Sequence, residues 1–266
     1  LIGHQKINGD WTYFNDSGAQ LKESFDPEGR YYDKNGLRTD LGTNHYVQLH
    51  NKWYYIGNDG KILKGPQTID GVKVYFSNYD GIQVKGDFAS DEHYYDKDSG
   101  ALVTNRFVHS MYDFFVDENG NRVTGQKNIG GAWYYFSPAQ IKDEFGPDGY
   151  YYDKEGKRTD LGTNRYYQLH THWYYIGKDG KILKGPQTID GMNVYFDTDG
   201  KQVKGHFAAD NRFYDKNNGW LVTNRIVNMY GDKTYYIDEN GYKFTGVKDI
   251  NGALYSFAPE QVFTKF

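Results

Sequence analysis

The chain has 266 residues, with 35 acidic and 31 basic side chains and no cysteine. Its formal net charge of −4 and its scattered Lys and Arg residues exclude a nucleic-acid partner, because phosphate recognition needs clustered basic side chains. The lack of cysteine excludes disulfides, zinc ribbons and thiol catalysis. No apolar run approaches the roughly 18 residues that cross a membrane, so no membrane insertion is expected.

Aromatic residues make up 18% of the chain, Tyr alone occurs 27 times and Gly 32 times. A chain so aromatic, and so regular in its glycines, is not expected to be disordered. It begins with LIGHQ, without a Met and without a signal-peptide pattern. We therefore expect it to be a piece of a longer protein.

The sequence repeats itself at long range. Residues 29–71 align without a gap with residues 149–191, at an offset of 120. The segment YYDKDSGALVTNRFV, from Tyr94, pairs in the same way with FYDKNNGWLVTNRIV, from Phe213. Since such self-similarity identifies repeat architectures, we expect a single repeat domain over residues 1–266. It consists of block one (about 6–126), block two (about 127–247) and a partial third block (248–266).

A shorter period runs inside each block. Aromatic pairs such as Tyr54-Tyr55 recur about every 20 residues, followed by a turn such as DKNG and a short alternating segment such as KILKG. Tyr and Phe favour strands, and Asn-Gly or Asp-Gly supplies the positive φ of tight hairpin turns. No apolar stripe with helical spacing is present. Each unit is therefore predicted to be a β-hairpin.

An isolated hairpin is marginal in water, so the units are expected to stack and to cover one another with aromatic side chains. The predicted fold class is all-β, a solenoid of about thirteen stacked β-hairpin repeats. Most aromatic side chains are expected simply to pack against the neighbouring hairpin.

No catalytic chemistry is expected. Most carboxylates occupy turn positions, where they bond the turn backbone; examples are Asp33, Asp59, Asp117, Asp153 and Asp238. A glycosidase pair would instead need a cleft that raises one pKa. His170-Thr-His172 could offer two metal ligands, but block one has Lys52 at the second position. His50 and His170 are expected to fill gaps between units or to face solvent, and neither a metal nor a cofactor is predicted.

Units with an aromatic pair, a turn and a trailing Gly resemble the cell-wall-binding repeat superfamily. That group includes choline-binding modules, toxin receptor-binding repeats and glucan-binding domains. The segments WYYIGKDGKILKG, DGKQVKG and DKNNGWLVTNRIV are most similar to the glucan-binding domain of glycoside hydrolase family 70 glucansucrases, which are the dextransucrases and glucosyltransferases of lactic acid bacteria and oral streptococci. The resemblance covers the whole chain.

This resemblance implies a non-catalytic, monomeric module of a secreted or cell-surface enzyme. Its partner would be an α-glucan polysaccharide or isomalto-oligosaccharides. It also implies two sugar pockets, each with a stacking ring, a Gln-x-Lys pair and a nearby hydroxyl. The matching positions are Gln83, Lys85, Tyr94, Tyr95 and Thr104 in block one, and Gln202, Lys204, Phe213, Tyr214 and Thr223 in block two.

The chemistry of a pyranose fits such a set, because its apolar face suits an aromatic ring and its hydroxyls suit amide and ammonium groups. Strand alternation places Gln83 and Lys85 on one face. The alternative is that both are ordinary solvated strand residues. Phe213 stands where block one has Tyr94, so the second site is weakened if that position carries the stacking ring.

Three other functions stay open. Choline binding needs aromatic cages around a quaternary ammonium, and 5 Trp are too few for a cage at every junction. A toxin-type module that binds receptor glycans differs from a glucan binder mainly in the Gln-Val-Lys strands. The array could also be a spacer with no ligand.

Overall fold

A computed structural model describes residues 1–229 and 233–258, together with the backbone of residues 263–265. Within these residues every regular element is a β-strand. The described residues therefore contain no helix that could cross a membrane. The predicted all-β fold of hairpins is confirmed. Residues 259–262 and 266 of the predicted third block lie outside the described residues.

The strands are short, and consecutive strands pair with each other. In chain order they are β1 (Gly3–Ile7), β2 (Asp10–Phe14), β3 (Ser24–Phe25), β4 (Tyr31–Tyr32), β5 (His45–Leu49), β6 (Lys52–Ile56), β7 (Gly65–Ile69), β8 (Val72–Phe76), β9 (Asp87–Phe88), β10 (Tyr94–Tyr95), β11 (Arg106–His109), β12 (Asp113–Val116), β13 (Gly125–Ile129), β14 (Ala132–Phe136), β15 (Glu144–Phe145), β16 (Tyr151–Tyr152), β17 (Arg165–Leu169), β18 (His172–Ile176), β19 (Gly185–Ile189), β20 (Met192–Phe196), β21 (Arg225–Met229), β22 (Lys233–Ile237), β23 (Gly246–Ile250), β24 (Ala253–Phe257) and β25 (Phe263–Lys265). Strands β1 to β22 form two-stranded sheets of successive pairs, and β23, β24 and β25 form one three-stranded sheet.

The hairpin between β7 and β8 shows how the sequence sets the turns. Ile69 pairs with Val72, which leaves a two-residue loop of Asp70 and Gly71. Both loop residues have positive φ, 50° for Asp70 and 80° for Gly71. Two consecutive positive φ values define the type I′ turn, whose twist matches that of paired strands and which favours Asp-Gly.

After most hairpins the chain runs back beside the second strand, in what we call the return segment. Its position is marked by single bridges such as Phe76 to Gln83 and Phe196 to Gln202. The return segment also bonds the preceding hairpin: the Gln83 N–H donates to the Trp53 carbonyl at 2.8 Å. Backbone hydrogen bonds therefore join consecutive hairpins.

The core is thin and built from aromatic side chains of adjacent hairpins. Phe76, at the end of β8, is fully buried. Its ring centroid lies 6.4 Å from that of Tyr55 and 6.3 Å from that of Tyr46, both on the preceding hairpin. The predicted packing of aromatic residues between hairpins is thus present.

The described residues fall into two compact units. One comprises residues 1–127 and 135–140, and the other comprises 128–134 and 141–266. Each has its own buried clusters, for example around Phe114 in the first unit and around Ile237 in the second. The single domain, the block boundaries and the number of about thirteen units stay predictions.

Phe196→Ala tests the thin core. The ring is fully buried in a cluster against which Tyr166, Tyr175 and Leu183 pack, so its loss should lower the free energy of unfolding by about 3–5 kcal/mol. Met192→Ala, at an exposed position of the same strand, is the control and should cost under about 0.5 kcal/mol. Urea unfolding measures both. Equal effects would contradict a core made at these interfaces.

Candidate functional site

The structure brings the Gln-x-Lys pair of block one together against the turn of the next hairpin. Lys85 Nζ donates to the Asp98 carbonyl at 2.9 Å, and Gln83 Nε2 donates to the Ser99 carbonyl at 3.5 Å. Both side chains thus lie on one face of the return segment, as strand alternation requires.

Block two repeats this arrangement. Lys204 Nζ donates to the Asn217 carbonyl at 3.2 Å, and Gln202 Nε2 donates to the Asn218 carbonyl at 3.1 Å. Burial lowers the pKa of Lys204 from its ordinary value, because the charged ammonium is partly removed from water. The two pairs therefore have the same contacts in the two blocks.

The Gln side chains also pack closely on a glycine. A Cβ built on Gly100 would collide with the Gln83 amide, and one on Gly219 would collide with the Gln202 amide. Gln83 is one of the few buried polar residues of the chain. The two amides therefore fasten one hairpin to the next, which is a structural role whether or not they also contact a ligand.

The Gln-x-Lys motif also occurs at two further positions, which were not among the predicted site residues. Gln20-Leu21-Lys22 and Gln140-Ile141-Lys142 follow the first and seventh hairpins, and both glutamines bridge back to the second strand of their hairpin. A Cβ on Gly36 would collide with the Gln20 amide in the same manner. Gln-x-Lys alone is therefore a packing motif, and additional residues must distinguish a binding site.

The aromatic residues named from the sequence lie in the core. Tyr94, Tyr95, Phe213 and Tyr214 are at most 6% exposed. The Tyr95 hydroxyl donates to Asp91 at 2.7 Å, and burial, together with this bond, raises the Tyr95 pKa. A ring so covered offers no free face, so the expectation that one of these four stacks on a sugar disagrees with the structure.

Thr104 and Thr223 are exposed, as a ligand contact requires. Thr104 lines an open hollow of about 310 Å³ together with Asp96, Ser99 and Arg106. Arg106 lies 2.9 Å from Asp96, and the Ser99 backbone N–H, followed by Arg106, holds the Asp96 pKa well below its usual range. Thr104 thus lies beside the turn that Gln83 and Lys85 contact.

The exposed rings beside the two lysines belong to tryptophans. Lys85 Nζ lies 5.6 Å from the ring centroid of Trp53, and Lys204 Nζ lies 5.5 Å from that of Trp173. Each indole is 37% exposed. The number of tryptophans was used above only to argue against choline cages. The sequence feature that could have identified these two is a Trp directly before a Tyr pair, in KWYYIG and HWYYIG.

A glutamine lies next to each of these tryptophan–lysine pairs. Gln48 is directly opposite Trp53 in the β5–β6 register, and Gln168 is opposite Trp173 in β17–β18. Directly opposite side chains share one face of a strand pair. We call Gln48, Trp53 and Lys85 the first platform, and Gln168, Trp173 and Lys204 the second platform. Each offers an exposed indole with an amide beside it and an ammonium group over the ring.

The carboxylates that the sequence places in turns hydrogen-bond the turn backbone. Each accepts a backbone N–H within its own turn, as predicted: Asp33 from Asn35, Asp59 from Lys61, Asp117 from Asn119, Asp153 from Glu155 and Asp238 from Asn240. Their position in the turns separates them from either platform.

The histidine pair of block two lies at the surface. The His170 side chain is largely exposed, with Nε2 3.4 Å from Asp143 Oδ2. In the part of the chain that the structure describes, no three His, Cys, Asp or Glu side chains are grouped closely enough to hold a metal ion.

Two segments of the chain match a known family of short repeats. Residues 63–107 and 183–225 match the family model described as "Choline-binding repeat". Each matched segment contains one Gln-Val-Lys sequence, and the lysine of that sequence belongs to a platform.

Over most of its length the chain is homologous to a segment of streptococcal glucosyltransferases. It is 35% identical over 261 residues to Glucosyltransferase-S of Streptococcus mutans serotype c, which covers 90% of this chain and 17% of that protein. The chain thus spans about a sixth of this relative.

Two solved structures also align with the chain. The autolysin LytC of Streptococcus pneumoniae, in complex with a synthetic peptidoglycan ligand, gives a TM-score of 0.39 at 17% identity, over 83% of this chain and 52% of that one. Alternansucrase in complex with isomaltononaose gives a TM-score of 0.26 at 18% identity, over 98% of this chain and 16% of that one.

The contact between Gln202 and Gly219 can be tested by substitution. Gly219 has φ +75° and Gly191 has φ +80°, but only the former lies against a side chain. Alanine at either position should cost about 1–2 kcal/mol for the left-handed backbone, and Gly219→Ala should cost more because of the collision.

Gln202→Ala should relieve part of the cost of Gly219→Ala and none of the cost of Gly191→Ala. Chemical unfolding of the single and double variants measures this coupling. Additive effects for the pair at 202 and 219 would show that Gln202 does not fasten the turn.

Proposed function

We propose that the chain is a non-catalytic carbohydrate-binding module that binds α-glucan chains of the dextran type through its two platforms. The observation that carries this proposal is the repetition of one Gln–Trp–Lys arrangement at equivalent places in the two blocks. The homology to a segment of glucosyltransferases supports it. We further propose that the module is monomeric, is part of a secreted or surface enzyme, and leaves the glucosyl transfer to another part of that enzyme.

The contacts in each platform suit a glucosyl unit. The apolar C–H face of the sugar packs on the exposed indole of Trp53 or Trp173. The amide of Gln48 or Gln168 both donates and accepts, and the Lys ammonium donates to hydroxyl oxygens. In this proposal Gln83 and Gln202 hold the adjacent turn, and Thr104 and Thr223 extend the surface.

Choline is the second candidate, because the matched family model describes choline-binding repeats. A quaternary ammonium needs the electron-rich face of an aromatic ring. At both platforms a lysine ammonium already lies within 5.6 Å of the indole centroid, so a cationic ligand would meet a like charge. A neutral sugar meets a hydrogen-bond donor instead, and this difference favours glucan.

Retardation in dextran-containing native gels tests the platforms. Trp53→Ala and Trp173→Ala should each weaken retardation, by about five-fold at the affected platform if stacking contributes about 1 kcal/mol, and the double variant should be retarded less than either single variant. Lys204→Gln should also weaken retardation while it leaves the indole in place.

Trp133→Ala is the matched control, since Trp133 is about equally exposed but has Arg158 over its ring in place of the lysine of a Gln-x-Lys pair. It should leave retardation unchanged, and free choline should have no effect. Release from the gel by choline would favour the second candidate. An effect of Trp133→Ala as large as that of Trp173→Ala would contradict the platform assignment.

Ligand length gives a further prediction. One shallow platform that binds one or two glucose units should bind at about millimolar affinity, or about −4 kcal/mol. A long dextran can reach two platforms and gain from effective concentration, so it should bind far more tightly per molecule than isomaltotriose. Calorimetry of both ligands measures the difference, which Trp53→Ala should reduce. Equal molar affinities in the unaltered chain would contradict two-site binding.

A further inference from the structure

Block one contains a cleft of about 510 Å³ that none of the first-platform residues lines. Trp11, Tyr31, Arg38 and Lys61 form part of its walls, and the carboxylate residues Asp10, Asp40 and Asp59 also line it. The Trp11 indole is 44% exposed. The cleft therefore combines an aromatic surface with hydrogen-bonding groups of both charges.

In block two a tyrosine side chain lies beside the residues that correspond to Arg38, Gly60 and Lys61. The Tyr150 ring lies near two cations, with Arg158 Cζ 4.5 Å and Lys181 Nζ 5.2 Å from its centroid. The same Arg158 lies 5.5 Å from the Trp133 centroid. By the 120-residue offset, Arg158 and Lys181 correspond to Arg38 and Lys61, and Tyr150 corresponds to Arg30.

Arg30 also lines the cleft, and other residues engage its guanidinium. Its guanidinium forms an ion pair with Glu28, lies 3.8 Å from Asp26 Oδ2 and is 3.2 Å from His4 Nε2. The Asp26 side chain is fully buried and also accepts from the Tyr32 hydroxyl at 3.3 Å. Block two has Gly146 at the position of Asp26, so this network belongs to block one.

The two cations beside the cleft keep their donors for a ligand. Among the described residues, the Arg38 and Lys61 backbone N–H groups donate to the Trp11 carbonyl and to Asp59, and neither side-chain cation forms a hydrogen bond or an ion pair. Their charge is offset by the nearby Asp10, Asp40 and Asp59. A neutral ligand with many hydroxyls uses donors and acceptors together, whereas an ion of either sign would meet like charges.

We propose that this cleft is a third glucosyl-binding subsite, present in block one and closed in block two by Tyr150. The assignment rests on the proposed function, because it takes the ligand to be the same α-glucan. The sugar packs on Trp11 in the space that the phenol ring of Tyr150 fills in block two. Arg38 and Lys61 donate to its hydroxyl oxygens, and the carboxylates accept from its hydroxyl groups.

Indole N–H signals of ¹⁵N-labelled protein test the subsite during titration with isomaltotriose. In the unaltered chain the Trp11 signal should shift together with those of Trp53 and Trp173. Arg30→Tyr, which copies block two, should abolish the Trp11 shift and leave the other two. Tyr150→Ala should open the second cleft and produce a new shift at Trp133.

The outcomes separate this inference from the proposed function. Shifts at Trp53 and Trp173 without one at Trp11 overturn the third subsite and leave the proposed function intact. A Trp11 shift that persists in Arg30→Tyr also overturns the subsite, because the filled cleft should exclude the sugar. If none of the indole signals shifts, the proposed function fails and the third subsite fails with it.

Discussion

A single hairpin of this chain cannot cover its own aromatic face, and the rest of the structure follows from that constraint. Consecutive hairpins bury the face jointly and are tied by backbone bonds such as the one from Gln83 N–H to the Trp53 carbonyl. This bond fixes the return segment across Trp53. Because residues i and i+2 of an extended segment share a face, it also sets the lysine two positions later over the indole. The platform is thus a product of the stacking register.

Duplication of the block preserves this register but leaves individual side chains free to differ. The platforms around Trp53 and Trp173 have nearly equal lysine distances in the two blocks. The spaces beside Trp11 and Trp133 do not match, because Arg30 is drawn into an acidic network and Tyr150 lies near two cations. The exchange of Arg30 for Tyr150, together with that of Asp26 for Gly146, therefore changes the surface beside the tryptophan and keeps the hairpin fold.

The sequence was sufficient to predict the hairpins, the turn aspartates and the shared face of Gln83 and Lys85, because each follows from local spacing. It was insufficient to decide which aromatic rings are covered. Tyr95 and Trp53 are both aromatic residues of strands, yet Tyr95 is 3% exposed and Trp53 is 37% exposed. This difference depends on how each side chain packs against the neighbouring hairpin. The burial of Gln83 likewise depends on Gly100 of the next hairpin, which the strand containing Gln83 does not reveal.

The most direct test of the account is a crystal structure of the chain grown with an isomalto-oligosaccharide. We expect a glucosyl ring packed on the exposed indole of Trp53 and another on that of Trp173, each within hydrogen-bond distance of the platform glutamine or lysine. Sugar bound only at places remote from both indoles would contradict this expectation. The surfaces that the hairpin register forms at Trp53 and Trp173 would then not be binding surfaces.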